Sequence, residues 1–154
     1  MEQLDKTEIC IDKCEFFLTE YPNTQIALIH VNPVDKESIM HHIIQIMFYS
    51  GNMFYSITES EKELSVFVDQ RYIDNNILSS FTIKKDYRII QINEVNDGID
   101  HIGIVNNLSN IFTLNNIPIL YINSFNNNFV LIHGDKYNEA MQILRKMNIF
   151  ICQN

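Results

Sequence analysis

The chain repeats itself at a spacing of 65 residues (Ile39 to Ile104), and this internal duplication constrains its fold more than any other feature. Ile39, Ile43, Ile46 and Met47 fall at i, i+4, i+7 and i+8, which is one stripe of a helix. At the repeat spacing, Ile104, Leu108, Ile111 and Phe112 form the same stripe. The helix ends correspond as well. Gly51 falls on Asn116, and these are the two residue types that most readily close a helix in the left-handed conformation. Asn32-Pro33 reads as a cap followed by a first-turn proline, and Asn96-Asp97 takes the capping part in the second half.

The segments after each helix agree. Phe54-Tyr55-Ser56-Ile57-Thr58 falls on Ile119-Leu120-Tyr121-Ile122-Asn123, and Leu64-Ser65-Val66-Phe67-Val68 on Phe129-Val130-Leu131-Ile132-His133. Short polar links join each pair, as in hairpins. Asp69-Gln70-Arg71-Tyr72 then falls on Gly134-Asp135-Lys136-Tyr137, so a basic residue followed by tyrosine recurs. Apolar runs, residues 25–31 and 87–92, precede the two helices. Tyr137, Met141, Leu144 and Met147 mark a final helix, followed by a short strand at Ile149-Phe150-Ile151. The matching helix after Tyr72 is short, ending near Leu78, with Phe81-Thr82-Ile83 as its strand. Residues 8–19 add an edge strand.

The order βαββαβ, twice over, predicts an α+β fold of two ferredoxin-like units, residues 1–80 (with an N-terminal extension) and 81–154. Each unit has a four-stranded antiparallel sheet with two helices on one face. One such unit is marginal alone. No Pro/Gly/Ser-rich linker divides the chain, so the units pack as one body, joining sheets or sharing a helical layer.

Composition narrows the function. Of 154 residues, 46% are hydrophobic and 19% charged, which suits a packed globular protein. A formal net charge of −8 repels phosphate backbones and anionic lipid, which argues against nucleic acid and membrane surfaces as partners. No apolar run reaches the roughly 18–20 residues of a membrane span. Met1-Glu2-Gln3-Leu4-Asp5 lacks the character of an export signal, and Cys10, Cys14 and Cys152 read as reduced structural thiols; the expected setting is the cytoplasm. There is no Gly-rich phosphate loop, no G-x-S-x-G and no Cys-His pair at a plausible helix start, so neither catalysis nor a cofactor is expected. His41 and His42 are adjacent, on different sides of a helix and without a third ligand, so no metal is expected. His133 falls on Val68, on the inward face of its strand, and reads as a satisfied, partly buried histidine.

The strings Ile117-Pro118-Ile119-Leu120-Tyr121-Ile122-Asn123-Ser124 with Phe129-Val130-Leu131-Ile132, and Phe54-Tyr55-Ser56-Ile57-Thr58-Glu59 with Leu64-Ser65-Val66-Phe67-Val68-Asp69, resemble the ACT modules of the cytosolic arginine sensors of the TOR pathway. The resemblance runs from about Gln25 to Leu144 and extends to the regulatory domains of aspartate kinases. It implies a small-molecule sensor, binding an amino acid where the first strand meets the first helix, against the start of a neighbour's second strand. A helix N-terminus suits a carboxylate. Carried onto this chain, the loop supplies Asp97, Gly98, Asp100, Gly103 and Ile104; the start of the second strand supplies Asn116, Pro118 and Ile119; the hairpin turn supplies Ser124, Asn126 and Asn128. Asp97 and Asp100 read equally as acids drawn to a helix start, and His101 as a solvated loop residue. With 19 asparagines in the chain, the Asn126-Asn127-Asn128 run also reads as plain turn. The chain departs from the family's pattern at two places. Pro118 stands for a serine and Asn128 for an aspartate, which removes the carboxylate a guanidinium ligand wants and disfavours arginine. The family's sensors hold four modules, so a homodimer of this chain is expected, with a protein target downstream.

Overall fold

Leu64, Val66 and Val68 alternate with Ser65 and Phe67, the apolar run through residues 25–31 supplies buried side chains to both faces of a strand, and the 3.6-residue stripes produce helices that cover one of those faces. In this computed structural model, which describes residues 16–49, 54–73, 81–94, 103–149 and 151–153, the order is β1 (Phe16–Val31), a 3-10 turn (Pro33–Asp35), α1 (Lys36–Tyr49), β2 (Tyr55–Glu59), β3 (Leu64–Asp69), a second 3-10 turn (Gln70–Tyr72), β4 (Thr82–Glu94), α2 (Ile104–Leu114), β5 (Ile119–Asn123), β6 (Asn128–His133), α3 (Gly134–Lys146) and β7 (Ile151–Gln153). The fold is α+β, as the repeat predicts; each half shows βαββ, and among the described residues only the second half adds the expected further helix and strand.

The units join into a single seven-stranded sheet, ordered β2-β3-β1-β4-β6-β5, with β7 paired to β1. The junction is an exchange of strands. The second half of β1 pairs with β3, from Ile26 opposite Asp69 to Val31 opposite Leu64, and serves the first unit. Its first half pairs with the end of β4, from Phe16 opposite Glu94 to Glu20 opposite Ile90, and serves the second. β4 is divided the other way. Its start lies against the first unit, with Ile83 opposite Ile29, while its end pairs with β6, with Gln91 opposite Phe129. Residues 16–19, expected at an edge, therefore lie inside the sheet, between β4 and the parallel β7.

Both long strands carry an irregularity where the units meet. The register of β1 against β4 shifts between Glu20 and Gln25 and again between Ile26 and Leu28. On β4, Asp86 adopts a left-handed φ of 64°. An extra residue in a strand reverses which side chains face which way. Leu18 faces the helices in one half of β1, and Ala27 and Ile29 do so in the other. Ile83 and Ile90 do the same on β4. The reversals keep all three helices on one side of the sheet. One helix-side core gathers Leu18, Ile90, Val130, Leu108, Phe112 and Leu144, and the other Ala27, Val31, Val66, Ile39 and Ile43. A third cluster, centred on Ile26, Ile89 and Leu131, occupies the helix-free face.

The stripes pack unequally. Ile104, Leu108, Ile111 and Phe112 are all buried, as are Ile39 and Ile43, but Met47 is 45% exposed where its counterpart Phe112 is 1% exposed. α3 shares a core with α2, whereas among the described residues the first unit has only the Gln70–Tyr72 turn at the matching place. Asn116 closes α2 with φ 54°, the left-handed conformation its alignment with Gly51 implies. At the other end of α2 the cap is Gly103, with φ 101°, and not Asn96-Asp97, because the helix starts only at Ile104. His133 differs from expectation too. It is the last residue of β6 and the cap of α3; its ring stands half exposed, edge to face with Tyr87 across the strand pair at 5.4 Å, and pairs with Asp135 at 2.6 Å.

Candidate functional site

The helix-free face is concave. Phe54, just before β2, and Phe129, on β6, are separated in the sheet by β3, β1 and β4. A flat sheet would set their strands about 19 Å apart at ordinary strand spacing. Their ring centroids lie 4.9 Å apart, edge to face at 68°. The sheet therefore curls until the first unit reaches across to the second, and a cavity of about 260 Å³ remains within the curl. Ile89 and Gln91 of β4 line it, with Tyr21 and Thr24 from the irregular stretch of β1. The first unit adds Phe54, Asp69 and Arg71, and the second Asn127 and Phe129. The size suits one amino-acid-sized molecule, and the mixture of aromatic walls with a few fixed polar groups is that of a small-molecule site.

The polar groups form two sets. In the first, Tyr21 Oη donates to Gln91 Oε1 at 2.6 Å, and Gln91 Nε2 donates to Asn127 Oδ1 at 2.9 Å. Asn127 is held because its own N–H bonds to Ser124 Oγ and its carbonyl receives the Ser124 N–H at 2.8 Å. In the second, Asp69 lies at the end of β3 and caps the following turn by accepting the Arg71 N–H at 3.0 Å. Arg71 Nε and Nη2 grip the same carboxylate, the latter at 2.6 Å. Asp69 is only 1% exposed under this cover, while the Arg71 side chain is 65% exposed. The hydrogen bond and the charge of Asp69 hold the guanidinium's pKa above its ordinary value.

The residues expected to bind ligand lie elsewhere or in part beyond description. Asp97, Gly98, Asp100 and His101 fall outside the described residues. Gly103 opens α2, and Ile104 is buried in the core beneath it. Asn128 stands at the same end of the sheet. Its Nδ2 donates to Glu94 Oε1 at 3.2 Å, and its Oδ1 accepts from Tyr121 Oη at 2.8 Å. Burial, then the Glu94 charge, raises the Tyr121 pKa. Ser124 and Asn126 are exposed in the turn. Asn116 and Pro118 are exposed at the opposite end of β5, and Ile119 packs partly against the helix-side core. The structure thus brings the turn to the end of β4 at Glu94 and separates it from the start of β5.

Most of the cavity residues were not singled out from sequence. One signal bears on them. Phe54 is the repeat partner of Ile119, so the start of a second strand does reach the cavity, but it is that of the first copy. Arg71 carried a weaker mark, the basic-tyrosine pair that recurs as Lys136-Tyr137.

Among the described residues, no cluster of three or more His, Cys, Asp or Glu is placed to hold a metal, and no helix is long and apolar enough to cross a membrane. Cys152 is a free, partly buried thiol, and Cys10 and Cys14 lie outside the described residues.

Comparison with known proteins places this geometry in a family of folds. Residues 82–146 match the family model of the ACT domain. No curated protein matches the sequence. Among solved structures, a protein from Agrobacterium tumefaciens superposes with a TM-score of 0.69 at 16% identity, over 91% of this chain and 94% of that one. Clostridium acetobutylicum aspartate kinase, described as an allosteric enzyme, matches with a TM-score of 0.58 at 11% identity, over 86% of this chain but 34% of its own. The regulatory subunit of aspartate kinase from Thermus thermophilus, in a ligand-free form, matches with a TM-score of 0.53 at 12% identity, over 88% of this chain and 93% of its own. At these identities the likeness is one of fold.

Proposed function

We propose that this chain, which carries an ACT domain over residues 82–146, is a regulatory protein that binds a small molecule, an amino acid foremost, and performs no chemistry of its own. The two units, residues 1–80 and 81–154, act as one sensor. The ligand sits in the concave cavity between them. The observation that carries this reading is the closure of the cavity by Phe54 from one unit and Phe129 from the other. A ligand there touches both units, so its binding favours whichever curl of the sheet fits it best. The free Cys152 fits a reducing, cytoplasmic setting.

Thermal-shift measurement against a panel of amino acids tests the proposal. A ligand at a hundredfold its Kd raises stability by about 2.7 kcal/mol, which such a measurement resolves. Phe54→Ala should weaken that shift. A panel without any shift at millimolar ligand would remove the sensor reading.

A second reading, an interaction module of ACT fold without a ligand, is favoured by α1. Ile44, Met47 and Phe48 are exposed along its outer side, and the helix carries no acidic, Lys or Arg residue from Met40 to Tyr49 in a chain of net charge −8. A second copy can meet this face without like-charge repulsion. Stable dimers indifferent to every ligand would support it over the first.

A further inference from the structure

We infer that Arg71 anchors a carboxylate in the concave cavity, and that the ligand is a small monocarboxylic acid with an apolar body; the inference rests on the cavity being the ligand site. The hydrogen-bond inventory of the cavity is one-sided. Both oxygens of Asp69 are taken by Arg71. Gln91 is used at both ends of its amide, and the Asn127 side-chain oxygen is occupied by it. Among the described residues, the Nη1 group of Arg71 and the Asn127 side-chain amide donate to no protein acceptor. The unspent charged group is a donor, as is the Asn127 amide; the Thr24 hydroxyl beside them turns either way, and the Tyr21 oxygen, its hydrogen given to Gln91, only accepts.

A carboxylate is received by such a set, because hydrogen bonds to a guanidinium are about twice as strong as neutral ones and have the geometry of a planar fork. An ammonium finds no free anion, since Asp69 is covered. The remaining walls, Phe54, Phe129 and Ile89, suit an apolar body and offer nothing to a second charge. The duplication supplies an internal contrast. Lys136, which falls on Arg71 at the repeat spacing, lies on the outer side of α3 and pairs with Glu139 at 2.8 Å. Only the first copy's basic residue faces the cavity.

Calorimetric titration of the full chain with three matched sets of probes tests this. Leucine and phenylalanine keep both groups; isocaproate and hydrocinnamate keep only the carboxylate; isopentylamine and phenethylamine keep only the amine. The acids should bind, the amino acids should bind more weakly because their ammonium gains no partner, and the amines should not bind. Arg71→Gln should weaken the acids about tenfold or more, the scale of a lost charge-assisted contact. Because that change leaves Asp69 buried alone, the double variant Asp69→Asn with Arg71→Gln, which keeps a neutral hydrogen-bonded pair, should show the same loss in a folded protein. Amines binding as tightly as acids, or acids binding the double variant at wild-type affinity, would overturn the anchor. If Phe54→Ala still abolished binding in that case, the cavity would stand as the site. No binding by any probe at millimolar concentration would remove the cavity and the anchor together.

Discussion

Tyr137, on α3, donates its phenolic hydrogen to Glu20 Oε1 across 2.8 Å, and both residues are buried. The bond ties the first half of β1 to the second unit's helix layer, and so secures the strand exchange. Gln153 of β7 and Arg145 of α3 approach the other carboxylate oxygen, at 3.3 and 3.6 Å. The repeat partner, Tyr72, is 44% exposed, so the tyrosines of the recurring pair have separate roles.

Removing the hydroxyl by Tyr137→Phe leaves Glu20 Oε1 buried without its donor, and the expected cost is about 1–3 kcal/mol in urea unfolding. The same pair makes stability fall at high pH. Burial first, then the hydrogen bond to Glu20, raises the phenol's pKa above its ordinary value of 10.0. The unfolded chain thus loses this proton at lower pH than the folded one. The contribution is complete below about pH 10 and drains away as pH rises beyond it. Wild-type minus Tyr137→Phe stability should therefore shrink with rising alkalinity; a constant difference would show that Tyr137 is not the group responsible.

Phe54 and Phe129 should be energetically coupled, since the curl alone brings them together. A double-mutant cycle with alanine at each position should return about 0.5–1.5 kcal/mol, the usual worth of an edge-to-face aromatic pair. Strictly additive losses would mean that the rings do not touch in solution, and the cavity would then be open on that side.

The legible part of this fold is the part set by local period. The stripe Ile104, Leu108, Ile111 and Phe112 identifies α2 because a helix shows its buried face every three to four residues, and the left-handed Asn116 follows from its place after that stripe. The exchange of β1 and β4 between units was not legible. It depends on the register shift near Glu20 and the bulge at Asp86, each of which reverses the alternation partway along a strand. A reader of the alternation sees two short strands, and nothing local says that they are one. The cavity is further removed. Tyr21, Gln91 and Asn127 meet through the pairing of β1, β4 and β6, Arg71 joins them through the curl, and pairing between strands distant in sequence leaves no periodic mark on any of them.

Gly134 is expected to resist substitution although it starts a helix, where alanine is ordinarily better. A Cβ there would stand 3.0 Å from the Asp86 carbonyl oxygen. That oxygen belongs to backbone held at φ 64° within β4, with Tyr87 already paired to His133, so it has little room to yield. Gly134→Ala should cost about 1 kcal/mol, within the range of small overpacking. A neutral or stabilising result would show that the bulge gives way freely.

Phe48, 79% exposed on α1, is the residue through which self-association should be read. Ile44 and Phe48 are four apart and share a side of the helix with Met47, so a second copy presenting the same face would bury all three on each partner. Phe48→Glu adds a charge that cannot be paired across a two-fold axis, where each copy meets its own like. It also touches none of the buried core, so folding should be unchanged by circular dichroism. The variant should shift sedimentation equilibrium toward monomer at concentrations where the wild type is dimeric, and a Phe48→Lys variant mixed with it should recover mixed dimers through the opposite charges. Dimerisation that survives Phe48→Glu would move the interface off α1, to the strand edges at β2 or β5.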